Sequence, residues 1–201
     1  MRKPLLVLTA AAGLGAWMRA DAPLTLQHES RLWVDGTSTT KSFSCRAVDM
    51  ESEILGDPAA PTAVLAGEKA VRKVVVKVPA LKLDCGNGTM NDHMRKAIKA
   101  EQFRTITFTL TGYDVARGAE GARGTLNGTL ALGGATKPVA IAATAKAAGA
   151  NQLRVAGTYA LAMSDFGLKA PTLMFGAMKV GDRVTVGFDL VLKSSPPALV
   201  P

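Results

Sequence analysis

Few residues in this chain have the types and spacing that catalysis requires. The two histidines, His28 and His93, lie far apart, and no His/Cys/carboxylate cluster has metal-ligand spacing. No Gly-x-Ser-x-Gly, P-loop or Gly-x-Gly-x-x-Gly is present. Asp165-Phe166-Gly167 matches a kinase triplet by chance, because the kinase glycine-rich and catalytic loops are missing. Only Tyr159 and Asp189 remain as scattered polar candidates, so the sequence favours a non-catalytic protein.

The first 20 residues have the pattern of an export signal. Arg2 and Lys3 form a charged start, residues 4–16 are apolar, and small residues follow at Ala20 and Ala22. We expect residues 1–20 to be a signal peptide and residues 21–201 to form one domain, ordered from about 24 to 193. This pattern predicts a periplasmic or secreted protein. The alternative is a retained apolar N-terminal helix.

Charge does not point to a nucleic-acid partner. The full chain carries +8, and losing Arg2, Lys3 and Arg19 leaves 24 − 3 = 21 basic against 16 acidic residues, or +5. The basic residues are scattered and lack the interleaved aromatic residues of a nucleic-acid surface. We interpret them as a solvated face that could transiently touch an anionic membrane surface.

Two cysteines, Cys45 and Cys85, lie in the exported part of the chain. An even pair in an oxidising compartment indicates a disulfide, and the spacing is not that of a redox or zinc Cys-x-x-Cys site. Closing such a loop would contribute about 4 kcal/mol in the chain-entropy model. The alternative is two buried thiols, and we favour the structural bridge.

Hydrophobic periodicity predicts an all-β chain with one short helix. Alternating stretches predict eight strands, at 24–34, 41–48, 71–78, 105–113, 124–132, 137–147, 153–163 and 184–192. Residues 51–68 are predicted to be a loop, and 180–183 a tight turn before the last strand. The eight strands, joined mostly by short turns, favour an antiparallel, lipocalin-like up-and-down barrel, and eight strands leave room for packed side chains or one small ligand.

Residues 89–100 change to helical spacing. Met90, Met94, Ala97 and Ile98 form one apolar stripe, which is most often core, and His93 is expected on the helix surface. Among the strands, Gly128 is interpreted as an in-strand kink or bulge, and Gly133-Gly134 as the turn that follows it.

The predicted inner face of the barrel is almost wholly apolar, with small residues such as Gly128, Gly157 and Ala143 mixed in. Strand parity alone leaves a solid core and an open pocket equally acceptable. A second apolar feature is the loop 166–178, which carries large hydrophobic residues between glycines and a proline. Surface loops are normally polar, so this loop should plug a cavity or line its mouth.

Three motifs together resemble the YceI-like lipid-binding family. They are 31–39 (Arg-Leu-Trp-Val-Asp-Gly-Thr-Ser-Thr), 124–130 (Gly-Thr-Leu-Asn-Gly-Thr-Leu) with 136–139 (Thr-Lys-Pro-Val), and Ser-Asp-Phe-Gly at 164–167 followed by Val-Gly-Asp-Arg-Val at 180–184. The resemblance covers nearly the whole mature chain. The family's usual histidine-containing opening is missing, and the two cysteines are not a general family feature, so the chain resembles a divergent member.

The resemblance implies a non-catalytic periplasmic barrel that binds or transports a polyisoprenoid, such as a quinone tail, or another long apolar lipid lengthwise inside. It implies no metal or catalytic cofactor, and a monomer or homodimer. The ligand-binding residues it implies are inward strand positions and the apolar loop: Val76, Ile106, Phe108, Leu110, Leu126, Leu130, Ile141, Tyr159, Leu161, Met163, Phe166, Leu173, Met174, Phe175, Met178, Val186 and Phe188.

Two other function classes stay open at this point. One is a structural or stress-related interaction barrel with a solid core and no ligand. The other, less favoured, is an enzyme acting on a bound lipid. An outer-membrane barrel is disfavoured, because aromatic residues make up only 5% of the chain and form no girdles.

Overall fold

The computed structural model describes residues 21–173 and 178–195, without the side chains of Leu173 and Met178. Its strands, in chain order, are β1 (Ala22–Leu26), β2 (Arg31–Ser38), β3 (Ser42–Ala47), β4 (Glu51–Gly56), β5 (Val71–Pro79), β6 (Leu83–Asp84), β7 (Thr105–Gly118), β8 (Gly121–Leu132), β9 (Ala135–Gly149), β10 (Gln152–Ala162), β11 (Thr172–Leu173) and β12 (Met178–Ser194). Its helices are α1 (Ala60–Leu65) and α2 (Gly88–Ala97), with short 3₁₀ turns at Ala80–Lys82 and Met163–Phe166.

These strands build one closed eight-stranded antiparallel barrel, as the sequence predicts. The number is eight because β1 with β2, β3 with β4, and β5 with β6 are each two halves of one bent strand, and β11 lies off the circle, paired with β12. At one end of the barrel β12 pairs with β1, β1 with β4, and β4 with β5. At the other end β12 pairs with β2, β2 with β3, and β3 with β6. Strands β5, β7, β8, β9, β10 and β12 complete the circle in order.

The first predicted strand, 24–34, is interrupted. β1 and β2 are separated by a turn in which the Ser30 amide donates to the Gln27 carbonyl at 3.0 Å. Across this gap the Ser30 hydroxyl accepts from the Val191 amide at 3.0 Å and donates to the Val191 carbonyl at 3.3 Å. The Val191 carbonyl also accepts from the Gln27 amide at 2.8 Å, so the Ser30 side chain supplies the partner that the Val191 amide would otherwise lack across the gap.

The prediction that 51–68 is a loop is wrong. The segment contains β4 and α1, and α1 has the usual signals of a short helix. The Asp57 carboxylate accepts from the Ala59 amide at 2.7 Å, Pro61 lies in the first turn, and Gly67 follows with a positive φ of 89°. Proline near the start and glycine after the end suit a helix because of their backbone restrictions.

The predicted tight turn at 180–183 is also wrong. These residues lie inside β12, where Val180 faces Ser38 and Val184 faces Gly36, so β12 carries extra residues at this level. The resulting bulge aims Asp182 at the neighbouring 3₁₀ turn. Its carboxylate accepts from the Ser164 amide at 2.9 Å and from the Ser164 hydroxyl at 2.6 Å. These bonds join two of the sequence motifs, at 164–167 and 180–184.

A bulge also occurs beside Gly128, although the extra residue belongs to the partner strand. Leu110 faces Gly128 and Gly112 faces Asn127, so Thr111 is the unpaired residue. Gly133 and Gly134 form the next turn, as predicted, and both have positive φ.

The predicted helix over 89–100 is found as α2, at Gly88–Ala97. The Asn87 side-chain oxygen caps it by accepting from the Met90 amide at 3.1 Å. Across the part of the chain that the structure describes, no helix has the length and apolar character needed to cross a membrane.

Candidate ligand-binding cavity

The barrel is hollow. A cavity of about 740 Å³ extends along its inside, from Met94 on α2 at one end to Val64 on α1 at the other. The volume lies within the range of about 300–1,000 Å³ that small-molecule sites occupy. The question that strand parity leaves open, whether the barrel is solid or open, is therefore answered by the structure in favour of an open interior.

Most predicted strand residues line this cavity. They come from six different strands and the turn after β10: Val76, Ile106, Phe108, Leu110, Leu126, Leu130, Ile141, Tyr159, Leu161, Met163, Val186 and Phe188. Several lining residues were not on the predicted list, among them Leu32, Val34 and Phe43 near the start of the chain. Strand alternation gives the signal for these residues, since Leu32 and Val34 share one face of their strand, and Phe43 shares one with Cys45 on the next strand.

Three glycines keep the interior open by seating aromatic rings flat against the wall. A Cβ added to Gly36 would lie 2.4 Å from the Phe43 ring, one added to Gly157 would lie 2.7 Å from the Phe188 ring, and one added to Gly128 would lie 2.7 Å from Phe108. All three rings line the cavity. Because each ring occupies the space of a missing side chain, it does not extend across the barrel axis.

The end closed by α1 is packed like an ordinary protein core. Ala60 of α1 has no exposed surface, and Leu153 is 1% exposed. They belong to a buried cluster with Leu24, Ile54, Val64, Ala70, Ala122, Ala145 and Leu192. This end is a plug, and its helix α1 lies in the segment 51–68 that the sequence predicts to be a loop.

The end covered by α2 is different. No residue of α2 is fully buried, although Met90, Met94 and Ala97 all face the cavity. His93 also lines the cavity and is only half-buried, so its prediction as a helix-surface residue is wrong. The signal was available, because His93 lies three residues after Met90 and four before Ala97, on the same helical stripe.

The predicted loop residues divide into three groups. Phe166 is buried at 3% exposure in a cluster with Leu161, Met163 and Leu168, and it is not among the residues that line the cavity. Leu168 and Pro171, from the same loop, do line it. Met174 and Phe175 lie outside the described residues, as do the side chains of Leu173 and Met178.

The disulfide between Cys45 and Cys85 is present, as predicted. It joins β3 to the segment between β6 and α2, and both cysteines line the cavity. Nearby, the Asp84 carboxylate accepts from the Asn91 side chain at 3.0 Å and from the Gly86 amide at 3.0 Å. These hydrogen bonds, chiefly the one from Asn91, lower the pKa of Asp84. The covalent bond and the carboxylate together fix the start of α2 to the barrel.

The two polar candidates for catalysis lie on different faces of the wall. Tyr159 lines the cavity, whereas Asp189 is not among the residues that do. The Asp189 carboxylate accepts from Arg154 Nε at 2.6 Å and from Arg31 at 3.1 Å. The hydrogen bond from Arg154 is the main cause that lowers the pKa of Asp189. This ion pair therefore belongs to the barrel surface and forms no site with Tyr159.

Comparison with known proteins agrees with this architecture. The family model of the YceI-like domain matches residues 32–192. A UPF0312 protein from Shewanella baltica strain OS155 is 34% identical over 130 residues, which is 60% of this chain and 61% of that protein. A second UPF0312 protein, from strain OS185, is 33% identical over the same length. The chain thus spans about 61% of the length of these curated relatives.

Solved structures share the fold at low sequence identity. BcnA from Burkholderia cenocepacia aligns with a TM-score of 0.64 and 19% identity, over 81% of this chain and 95% of BcnA. A polyisoprenoid binding domain from Saccharophagus degradans, implicated in plant cell wall breakdown, aligns with a TM-score of 0.59 and 13% identity, over 86% of this chain and 98% of that domain. Because the family model covers most of the hollow barrel, we conclude that this chain belongs to the YceI-like family.

Proposed function

We propose that this protein binds a polyisoprenoid, or a similar long apolar lipid, inside its barrel without changing it chemically. The observation that carries the proposal is the cavity itself, about 740 Å³ in volume and walled by aliphatic and aromatic side chains from nearly every strand. A genuinely apolar space of this size is poorly suited to water, which needs polar partners. A flexible hydrocarbon chain would make van der Waals contacts with the wall side chains that have no neighbour on the cavity side.

The energetics favour reversible binding. Burying on the order of 500 Å² of apolar ligand surface is worth about 12 kcal/mol relative to water at about 25 cal/mol per Å². Association costs roughly 4–15 kcal/mol, which offsets much of that gain. A bilayer solvates the same chain nearly as well as the barrel does, so extraction from a membrane is close to neutral. This balance suits a carrier or buffer better than a permanent store.

The compartment we propose is the periplasm or the cell exterior. The Cys45–Cys85 disulfide supports an oxidising compartment, and the apolar start of the sequence supports export. The likeness to a structure described as a polyisoprenoid binding domain supports the class of ligand. In such a compartment the protein would exchange its lipid with membranes, touching their surface only transiently.

The direct test is to identify what co-purifies. Protein purified from its own cells without detergent should release a prenyl-type or other long-chain lipid on solvent extraction, detected by mass spectrometry. Recovering only solvent from freshly purified, folded protein would contradict the proposal. Recovery of a chemically altered form of an added lipid would instead indicate an enzyme.

Two adjacent positions on β9 provide matched variants. Ile141 lines the cavity, whereas Ala140 is exposed on the other face of the strand. Ile141→Trp should fill part of the interior and lower the lipid recovered per mole of protein. Ala140→Trp adds an indole outside the barrel and should leave recovery unchanged. Equal recovery from the two variants would show that the lipid binds elsewhere.

A further inference from the structure

The cavity wall is apolar over most of its length, but its α2 end carries a cluster of polar side chains. Ser38 and Lys41 come from the turn between β2 and β3, Asn87 and Thr89 from the start of α2, and His93 from its middle. Strand directions place this turn and α2 at the same end of the barrel, where β7 and β9 begin. A ligand that fills the cavity lengthwise would end among these groups.

The polar cluster has hydrogen-bonding capacity to spare. Within the described residues, neither the Lys41 ammonium nor the His93 ring has a hydrogen-bond or ion-pair partner. The Asn87 oxygen is used by the Met90 amide, which leaves the Asn87 amide group as a donor, and Thr89 contributes a hydroxyl. An ammonium, an amide, a hydroxyl and an imidazole around one opening favour a ligand rich in acceptor atoms.

The charge at this end is one-sided. Lys41 is the only charged residue in the polar cluster, and His93 is its other ionisable member. Two carboxylates beside α2 are engaged, because Asp84 binds Asn91 and faces Arg46 at 3.6 Å, and Asp92 lies 3.9 Å from Arg95. Neither carboxylate lines the cavity. An anionic group at this opening would therefore meet Lys41 without facing a carboxylate of the cavity wall at this end.

The opposite end of the cavity is closed by the α1 plug. Asp114, Arg123 and Thr144 contribute to the wall there and are exposed, as Lys41, Asn87 and Thr89 are at the α2 end, so the two ends differ in closure and not in the exposure of their polar groups. The Asp114 side chain is 77% exposed and pairs with Lys69 at 3.2 Å outside the barrel. Beyond them the α1 plug is closed by Ala60 and Leu153. A bound amphiphile would have its apolar end at the plug and its polar end at α2.

We infer that the ligand is an amphiphile with an anionic head, and that Lys41, with His93 and Thr89, binds that head at the α2 end of the cavity. The inference rests on the proposed function and specifies it, since a neutral quinone or alcohol would leave the Lys41 charge without a partner. A phosphate and a carboxylate share the chemistry in question. The structure assigns to the ligand the feature that phosphate and carboxylate share, which is a head with negatively charged oxygen atoms, joined to a long apolar tail.

Pairs of probes that share a tail but differ in the head test this inference. We suggest geranylgeranyl phosphate against geranylgeraniol, and hexadecanoate against hexadecanol, each competing with a neutral dye-labelled isoprenyl alcohol for the full mature chain. The anionic member of a pair should bind about tenfold more tightly, which corresponds to about 1.4 kcal/mol. The two pairs distinguish phosphate from carboxylate as the preferred head. Raising the salt concentration should reduce the preference, because salt screens exposed charges.

Variants connect the preference to the proposed residues. Lys41→Gln should remove most of the preference for the anion, because it lowers the affinity for geranylgeranyl phosphate far more than the affinity for geranylgeraniol, and His93→Gln should remove a smaller part. Lys193→Gln is the matched control, because Lys193 is exposed near the α1 end of β12 and does not line the cavity. Circular dichroism would establish that all variants are folded.

The outcomes separate this inference from the proposed function. Equal affinity for both members of each pair, or an unchanged preference in Lys41→Gln, overturns the anionic head while lipid binding stands. Failure of every probe to displace the dye-labelled alcohol also overturns it. If the dye-labelled alcohol itself does not bind, the proposed function is overturned as well.

Discussion

The two ends of this barrel are built from similar parts and serve opposite purposes. Each is covered by a short helix that follows a bent strand. α1 is inserted so deeply that Ala60 is wholly buried, whereas no residue of α2 is fully buried. The α1 end is closed by apolar contacts among residues of the chain itself. The α2 end is attached to the barrel by a disulfide and by a hydrogen bond to a carboxylate, and Ala97 packs against the buried cluster around Phe166. The rest of the stripe, Met90 and Met94, faces the open cavity.

This difference shows how one fold separates stability from access. Contacts at the α1 end are made once, on folding, so they contribute to the free energy of unfolding. At the α2 end the helix stripe has room for a partner that the chain does not supply. Elements that must admit a ligand are drawn from the less stable parts of a protein. Each prediction below tests whether the two ends differ in this way.

The largest expected effect is at the α1 end. Leu153→Ala removes a side chain that is 1% exposed and should lower the free energy of unfolding by about 2–5 kcal/mol, because it leaves a cavity in a packed cluster. Met94→Ala, on α2, should cost about 1 kcal/mol or less, since Met94 is only half-buried. Urea unfolding of the two ligand-free variants measures the contrast. Equal losses would show that the α2 end is as tightly packed as the plug.

The next effect concerns the disulfide. Replacing both Cys45 and Cys85 by serine should lower the free energy of unfolding by about 2–4 kcal/mol. The local consequence should be found at the α2 end, because the bond joins β3 to the segment that precedes α2. Hydrogen exchange should therefore speed up in α2 more than in α1. Uniform acceleration across both helices would contradict a local role for the bond.

A smaller effect on stability, with a large one on binding, is expected for Gly36→Ala. The three atoms nearest to the new methyl all belong to the Phe43 ring, and displacing that ring into the cavity should cost about 1–3 kcal/mol. Ligand recovery should fall because the ring then occupies part of the interior. Gly112→Ala is the control, since nothing lies within 4 Å of its added Cβ. Unchanged recovery from Gly36→Ala would mean that the ring does not limit the usable space.

The smallest effect should appear as acid sensitivity of the α2 end. The Ser164 hydroxyl and amide lower the pKa of Asp182, and the Asn91 side chain lowers the pKa of Asp84. A lowered folded-state pKa means that stabilisation is complete above the unfolded value, about 3.9, and is lost as pH falls through the folded value. Relative to the intrinsic exchange rate at each pH, protection from hydrogen exchange below about pH 4 should fall first in α2 and in the turn Met163–Phe166. Asp182→Asn should reduce this pH dependence in the turn.

Glu120 provides the internal comparison for that experiment. Its pKa is lowered by a hydrogen bond from Lys146, on an exposed hairpin at the α1 end. Because this pair lies outside the buried cluster, protonating Glu120 should leave exchange in α1 unchanged. Faster exchange in α1 over the same pH range would remove the distinction between the two ends.

Sequence reasoning was most successful where strands alternate without interruption. The regular pattern around Phe108 and that around Val186 both predict the correct inward face, because a half-buried strand repeats every two residues. Sequence reasoning failed where the chain departs from the two-residue repeat of a strand. Ser30 replaces a stretch of ladder with its own hydroxyl, and the bulge at Val180–Val184 looks like a turn because it contains Gly-Asp. Both depend on which strand lies opposite, and local sequence does not contain that information.

The candidate site divides in the same way. Its wall could be predicted from alternation, but its openness could not, since hollow and solid barrels share one apolar pattern. The deciding contacts are between residues distant in sequence, such as Gly157 and Phe188. Lys41 was missed for a related reason. It is an ordinary surface residue by sequence, and only the closed barrel brings it to the same opening as His93, which the helical stripe already indicates.

The pairing of glycines with phenylalanine rings has a consequence for ligand choice. In barrels of this type strand number sets the overall diameter, but here the free width at each level depends on whether one ring lies flat. At the Gly36 level a single methyl group can alter that width without adding or removing a strand, because the nearest atoms to it all belong to the Phe43 ring, whereas at Gly128 and Gly157 a carbonyl of the neighbouring strand lies closer than the ring. Selection between straight and methyl-branched chains could thus change through point substitutions inside an otherwise constant scaffold.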